Sequence, residues 1–126
     1  MRTSKTASLK TSSLEQTFLN LWKICADITG KLPEPVREFL FNPERKWRYD
    51  FAFENEKLCI DLEGGMFLKG RTGHSSSTGI NRDILKGNSA VLLGYRVLRY
   101  SAKDLNERPR QVIEEIVSLL KKQQQP

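Results

Sequence analysis

Three carboxylates, Asp50, Asp61 and Glu63, lie in a segment that is otherwise rich in aromatic and aliphatic residues. The segment runs from Lys46 to Leu68 and reads KWRYDFAFENEKLCIDLEGGMFL. Burying charge among such side chains is unfavourable unless the charge is paired or binds a metal. Carboxylate oxygens are the ligands that a hard divalent cation such as Mg²⁺ prefers. The segment therefore predicts a metal site.

Two short strands joined by a turn at Glu54-Asn55-Glu56 would position these acids. Successive side chains of a strand point to opposite faces of the sheet, so Asp61 and Glu63 should share one face of the second strand. Asp50 joins them from the neighbouring strand if the hairpin pairs it opposite Asp61. The predicted apolar face of the first strand consists of Trp47, Tyr49, Phe51 and Phe53.

The alternating acids also fit a different interpretation, the water-facing side of a half-exposed sheet. Ala52 and Cys59 argue against it, because an open charged surface seldom carries such residues. Gly64-Gly65, directly after the acids, suits the close approach of a backbone or a ligand. We therefore favour the metal site.

A first helix is predicted from Ser12 or Ser13 to a stop at Gly30. Its apolar stripe consists of Leu14, Phe18, Leu21, Trp22, Cys25 and Ile28. Glu15 should lie at the rim of this stripe. Two interpretations of Glu15 stay open: an acid that complements the helix dipole, and a further acid of the site.

Lys31 to Pro43 contains three prolines and is predicted to be a connector, with at most a short turn near Val36–Leu40. Gly70 to Gly79 is predicted to be a loop. Lys69 and three side chains of this loop could contact a nucleic-acid backbone, although an ordinary flexible linker has the same composition. These loop residues are Arg71, Thr72 and His74; for His74 a surface position without function is the default interpretation.

A second helix is predicted from Ile80 to Leu92, with an apolar arc packed on the sheet. The arc consists of Ile80, Ile84, Leu85, Val91 and Leu92. Asn88 lies within the arc and should find a polar partner among the acids. Arg82 and Lys86 lie away from the centre of the arc. A parallel strand from Tyr95 to Tyr100 and a last helix from Pro109 complete the predicted α/β fold.

The whole chain of 126 residues suits one domain, which we place at 12–122 between a disordered basic arm at 1–11 and a frayed tail at 123–126. Its formal net charge of +6 favours a polyanionic partner. No apolar run approaches the roughly 20 residues that a membrane-spanning helix requires. Cys25 and Cys59 lack metal-site spacing and are expected to be free thiols in a reducing compartment.

The order of these features resembles the PD-(D/E)XK nuclease superfamily. It has a helix, Asp50 on one strand, Asp61-x-Glu63 on the next strand, and then a helix and a strand. The chain is similar in character to small phage and bacterial Holliday-junction-resolvase-like and very-short-patch-repair-like endonucleases. The resemblance covers about Glu15 to Tyr100 and rests on R-x-D-F, D-x-E-G-G and G-Y-R-V-L-R-Y. It implies a restriction-endonuclease-like core, a mixed sheet flanked by helices in the order α-β-β-(β)-α-β-α.

Site residues follow from the resemblance. Asp50 matches the motif aspartate and Asp61 the following acid, both metal ligands in such enzymes. Glu63 stands where the motif has lysine, a departure that occurs within the superfamily and leaves open which group supplies positive charge. Lys86 is the candidate for that group, since comparable helices can donate a basic residue. Glu15 resembles the first-helix acid that completes the metal site in many junction-resolving members.

We therefore expect a Mg²⁺-dependent DNA endonuclease, with Mn²⁺ able to substitute, that hydrolyses phosphodiester bonds in the cytoplasm near the nucleoid. A chain this short leaves little room for a separate sequence-reading domain, which favours branched DNA or junctions as substrate. Cutting both strands of a junction requires two active sites, hence a homodimer.

No membrane and no small-molecule cofactor are expected. Further expected DNA contacts are Arg48, Arg82 and Asn88. A non-catalytic DNA-binding subunit of the same fold, a nicking or repair nuclease and an RNA nuclease stay open as alternatives.

Overall fold

The computed structural model describes residues 13–63 and 73–123. The predictions for the arm at 1–11, for Gly64-Gly65, for Lys69, Arg71 and Thr72, and for the last three residues lie outside this range. The same holds for the side chain of His74.

Four helices and four strands make up the described chain. In order they are α1 Ser13–Thr29, β1 Val36–Leu40, β2 Arg48–Phe53, β3 Leu58–Glu63, α2 Gly73–Leu92, β4 Arg96–Ser101, α3 Ala102–Glu107 and α4 Pro109–Gln123. The strands form one sheet in the order β1-β2-β3-β4. The first three strands pair antiparallel, and β4 pairs parallel to β3. The predicted α/β class, a mixed sheet flanked by helices, is confirmed.

Helices cover both faces of the sheet. The larger core lies between the sheet and α1, α3 and α4. Its buried members include Phe18, Trp22, Phe51, Phe53, Leu58, Ile60, Leu105, Val112 and Ile116. A smaller cluster lies on the other face beneath α2 and contains Phe41, Tyr49, Ala52, Cys59 and Ala90. Because the larger core holds most of the buried aromatic and aliphatic volume, α2 is the more weakly packed layer.

Strand β1 corrects the prediction of a connector at Lys31–Pro43. Two of the three prolines precede the strand and Pro43 follows it. Val36–Leu40 pairs with β2 from Val36 opposite Ala52 to Leu40 opposite Arg48. Such a short segment has too few residues for a clear alternation. Pairing with β2 provides its backbone hydrogen bonds.

Helix α2 corrects two predictions. It begins at Gly73, so most of the predicted loop is helical. Serine and threonine lower helix propensity only modestly. Its apolar arc also faces outward, with Ile84 53% and Leu92 85% exposed, while Ala90 is fully buried. Small Ala90 allows close packing on the sheet, and the polar flank of the helix meets charged residues there.

The sequence interpretation also missed α3 and misplaced Tyr49. A capping box starts α3, because the Ser101 side chain accepts a hydrogen bond from the Asp104 N–H and Asp104 accepts one from the Ser101 N–H. Tyr49 packs with Ala52 and Cys59 on the α2 side, not with Phe51. A backbone irregularity at the adjacent Asp50 explains this change of face. No helix among the described residues is long and apolar enough to cross a membrane.

Candidate active site

Asp50 lies where β2 leaves the regular pairing on both of its sides. The ladder with β1 skips the position where Glu38 faces Asp50, and the ladder with β3 ends at Phe51 opposite Ile60. Glu38 has a φ of 53°, which is uncommon for a residue other than glycine. Instead of a backbone carbonyl, the Asp50 carboxylate accepts the Leu62 N–H at 2.7 Å. Backbone irregularities of this kind are concentrated at functional sites.

Glu15, in the first turn of α1, contacts Asp50. Its side chain is only 14% exposed, and Arg37 Nη2 lies 3.9 Å from Glu15 Oε1. Burial, the hydrogen bond to Asp50 and the negative charges of Asp50 and Glu38 raise the pKa of Glu15 to about 7, against the opposing effect of Arg37. Glu15 can therefore hold a proton near neutral pH. Both interpretations of Glu15 fit this position, which is in the first turn of α1 and in contact with Asp50.

Asp61 and Glu63 lie on the α2 side of β3, next to Arg99 of β4. Parallel pairing places Asp61 beside Arg99, whose Nε is 3.5 Å from Asp61 Oδ2. The Arg99 guanidinium also donates to Glu63. Burial raises the pKa of Asp61, Lys86 and Arg99 oppose the rise, and Asp50 and Glu63 add to it. Asp50 and Asp61 are thus close enough to influence each other electrostatically.

Lys86 points toward the sheet, contrary to the prediction that it faces away. Its ammonium lies 4.1 Å from the centre of the Tyr49 ring, and its charge acts on Asp61. The prediction was wrong because it took the apolar arc of α2 as the packed side. Burial and the negative charge of Asp61 raise the pKa of Tyr49 to about 12, so this ring stays neutral and supports a cation–π contact.

Sequence reasoning missed three members of this cluster. Arg99 was expected only as positive charge near this edge, and its contacts with Asp61 and Glu63 depend on the register between β3 and β4. Arg37 lies on the unpredicted strand β1. Asp83 of α2 reaches to 4.0 Å from Arg99. Only Arg99 could have been found from the sequence. Aligning β3 with β4 as parallel strands would have placed Arg99 beside Asp61.

The predicted nucleic-acid contacts are dispersed. Arg48 is exposed and pairs with Glu38 at 2.9 Å. Arg82 is exposed. Asn88 is exposed on the outward side of α2, so the prediction that its side chain finds a partner among the acids is wrong.

A basic segment that was not predicted as a site precedes β2. Arg45 and Lys46 are exposed there, and the Arg45 guanidinium lies 4.6 Å from the centre of the Trp47 ring. Asn42 fixes the segment, because its carboxamide accepts from the Glu44 and Arg45 N–H groups and donates to Ser89 of α2 at 2.7 Å. This arrangement holds positive charge next to the strand that carries Asp50.

The acids have the chemistry of a hard-cation site but are divided into two pairs. Glu15 contacts Asp50, whereas Asp61 and Glu63 contact Arg99. Among the residues that the structure describes, no group of three or more Asp, Glu, His or Cys side chains is arranged to hold a metal ion. The donor set fits Mg²⁺ because all four groups are carboxylates, and burial and the neighbouring acids raise the pKa of Glu15 and Asp61 despite the nearby cations.

Comparison of the chain with protein-family models, with curated proteins and with solved structures finds no match.

Proposed function

We propose that this protein is a metal-dependent DNA endonuclease with a restriction-endonuclease-like fold. The observation that carries the proposal is the position of Asp50, where β2 leaves both ladders, in contact with Glu15 and next to Asp61. The acids come from α1, β2 and β3, the same elements from which the PD-(D/E)XK resemblance draws its metal ligands.

The order of elements supports this proposal. A helix, three antiparallel strands, a helix and a fourth strand parallel to the third follow one another along the chain. The resemblance implies a helix, a run of two or three strands, a helix and a further strand, and this order agrees with that expectation. Asp50 on β2 and Asp61-x-Glu63 on β3 then occupy the motif positions.

Asp50 and Asp61 would hold the metal ion, with Glu63 and Glu15 as further acids. A bound Mg²⁺ supplies a water of lowered pKa and neutralises developing phosphate charge. The chain's own groups prepare the site. Glu15, in contact with Asp50, can take up or release a proton near neutral pH, and Lys86 places positive charge near Asp61, where the motif lysine is replaced by Glu63.

Positive charge on the chain supports a nucleic-acid substrate. Arg45 and Lys46 are exposed beside Trp47, directly before β2, and Arg48 is exposed at the start of that strand. Exposed cations next to an aromatic ring suit phosphates and unstacked bases. Bases are unstacked at branches and single-stranded ends, so we propose branched DNA as the preferred substrate.

One observation favours a second candidate, a non-catalytic DNA-binding subunit. Arg99 already contacts Asp61 and Glu63, and an ion-pair cluster of this kind can be purely structural. In that case the basic segment before β2 would bind DNA and the acids would stabilise the fold.

Cleavage of labelled four-way junction, flap, duplex and single-stranded DNA, with Mg²⁺, Mn²⁺ or EDTA, separates the two candidates. A nuclease cuts at least one substrate only with metal, and we expect the branched substrates to be cut fastest. Absence of metal-dependent cutting together with DNA binding would support the non-catalytic subunit. Equal cutting of duplex and branched DNA would reject the preference for branches.

A further inference from the structure

The outward side of α2 is apolar, exposed and free of charge. Its exposed fractions are 57% for Ile80, 53% for Ile84, 54% for Leu85, 66% for Val91 and 85% for Leu92. At about 100° per residue, Asn81, Gly87 and Asn88 share this side. The charged residues of the described part of α2 are Arg82, Asp83 and Lys86, and all three lie off this side. We call the eight uncharged residues the α2 stripe.

Gly87 adds a second observation. It lies midway along the length of the stripe, between Ile84 and Val91 and inside the helix, where glycine costs about 1 kcal/mol relative to alanine. A Cβ at this position would have no atom within 4 Å, so no contact within the described chain requires glycine. A glycine at such a position suits the close approach of another backbone, here from a second molecule.

We propose that the α2 stripe is the interface of a homodimer in which two α2 helices cross near Gly87. The stripe is nearly symmetric about this residue, with Ile84 one turn before it and Val91 one turn after it. A twofold axis near Gly87 would therefore pack Ile84 of each copy beside Val91 of the other. The paired Asn88 carboxamides near the axis can donate to and accept from each other.

The charge and size of the surface both favour a second copy as the occupant. The stripe carries no charged residue, so two stripes can meet without like charges facing each other. The stripe exposes on the order of 300 Å² of apolar surface. A standard dimer buries about 800 Å² on each partner, about 65% of it apolar at the core. The stripe thus supplies more than half of the apolar area that such a dimer needs.

This inference does not depend on nuclease activity, because mass is measured without DNA or metal. Sedimentation or light scattering of the full chain should give twice its 14.5 kDa at micromolar concentrations. Ile84→Arg should give the monomer mass with an unchanged circular dichroism spectrum. Ile28→Arg, which changes a 78% exposed isoleucine of α1 outside the stripe, should stay dimeric. A monomeric wild type, or a dimeric Ile84→Arg, would overturn the inference.

Cross-linking checks the axis independently. In a Cys25→Ser background, Gly87→Cys should oxidise to a covalent dimer, because a disulfide requires Cα atoms within about 7 Å. Lys23→Cys on exposed α1 is the matched control and should not form one. Equal cross-linking of the two variants, or none at position 87, would reject an axis at Gly87.

Discussion

The two carboxylate pairs of the candidate site differ in how their negative charge is compensated. Asp61 and Glu63 face Arg99, with Lys86 nearby. Glu15 and Asp50 face each other, with Arg37 at 3.9 Å from Glu15, and the pKa of Glu15 rises to about 7. Protein cations compensate one pair, whereas a proton compensates the other at or below neutral pH. A metal ion would therefore compete with a proton at Glu15 and with Arg99 at Asp61.

The largest expected effect concerns Asp61. Asp61→Asn should lower the cleavage rate at least about 100-fold, because it removes a charged ligand from the reaction centre, while DNA affinity is retained. Asp83→Asn is the matched control: Asp83 also approaches Arg99, but it belongs to α2 and is 60% exposed. The control should cut at the wild-type rate within a few-fold. Gel-based single-turnover rates and filter-binding affinities measure both quantities, and wild-type cutting by Asp61→Asn would move the site elsewhere.

A smaller effect is expected for Lys86. Lys86→Ala should slow cleavage about 10-fold, equivalent to about 1.4 kcal/mol of transition-state stabilisation, because it removes the positive charge near Asp61. Arg82→Ala, on the exposed flank of the same helix, should cut within twofold of the wild type. If the two variants lose activity equally, Lys86 contributes only general attraction for DNA.

The smallest expected effect is that of Glu15→Gln on the free energy of unfolding. It tests the raised pKa of Glu15 separately from cleavage. The folded state raises the pKa of Glu15 from 4.5 to about 7, so the folded protein binds the proton more tightly than the unfolded chain does. The resulting stabilisation is complete below about pH 4.5 and is lost as the pH rises through 7. Glu15→Gln lacks this pH dependence. The difference in unfolding free energy between Glu15→Gln and the wild type should therefore rise by about 1 kcal/mol in favour of the variant from pH 5 to pH 8, after allowance for solvent screening.

Urea denaturation at a series of pH values measures this difference. Glu44→Gln, which changes an exposed carboxylate in the segment before β2, should follow the wild-type pH profile. Parallel profiles of wild type and Glu15→Gln would show that folding does not raise the pKa of Glu15.

Local periodicity predicted the parts of this molecule that depend on neighbouring residues. Alternation along β3 predicted Leu58 and Ile60 on one face and Asp61 and Glu63 on the other, as the structure has them. The hairpin turn at Glu54-Asn55-Glu56 precedes Lys57, which has a φ of 52°. Such features follow from the two-residue repeat of a strand and from turn composition.

The remaining features depend on contacts between distant segments. The usual burial of apolar residues predicts that the apolar arc of α2 packs on the sheet. In the structure the arc is exposed, and Lys86 and Ala90 face the sheet instead. The contact between Glu15 and Asp50 requires α1 to pack against the sheet, and the contact between Asp61 and Arg99 requires the register of β3 with β4. No pattern within a single segment encodes these contacts.

The central claim is that the four acids form a cation site, and Mn²⁺ binding measured by titration calorimetry tests it most directly. Protons compete with metal for carboxylates, so the wild type should bind Mn²⁺ about 10-fold more tightly at pH 8 than at pH 6. Asp50→Asn should bind at least about 10-fold more weakly than the wild type at pH 8. Absence of Mn²⁺ binding at pH 8, or equal binding by Asp50→Asn, would contradict the claim.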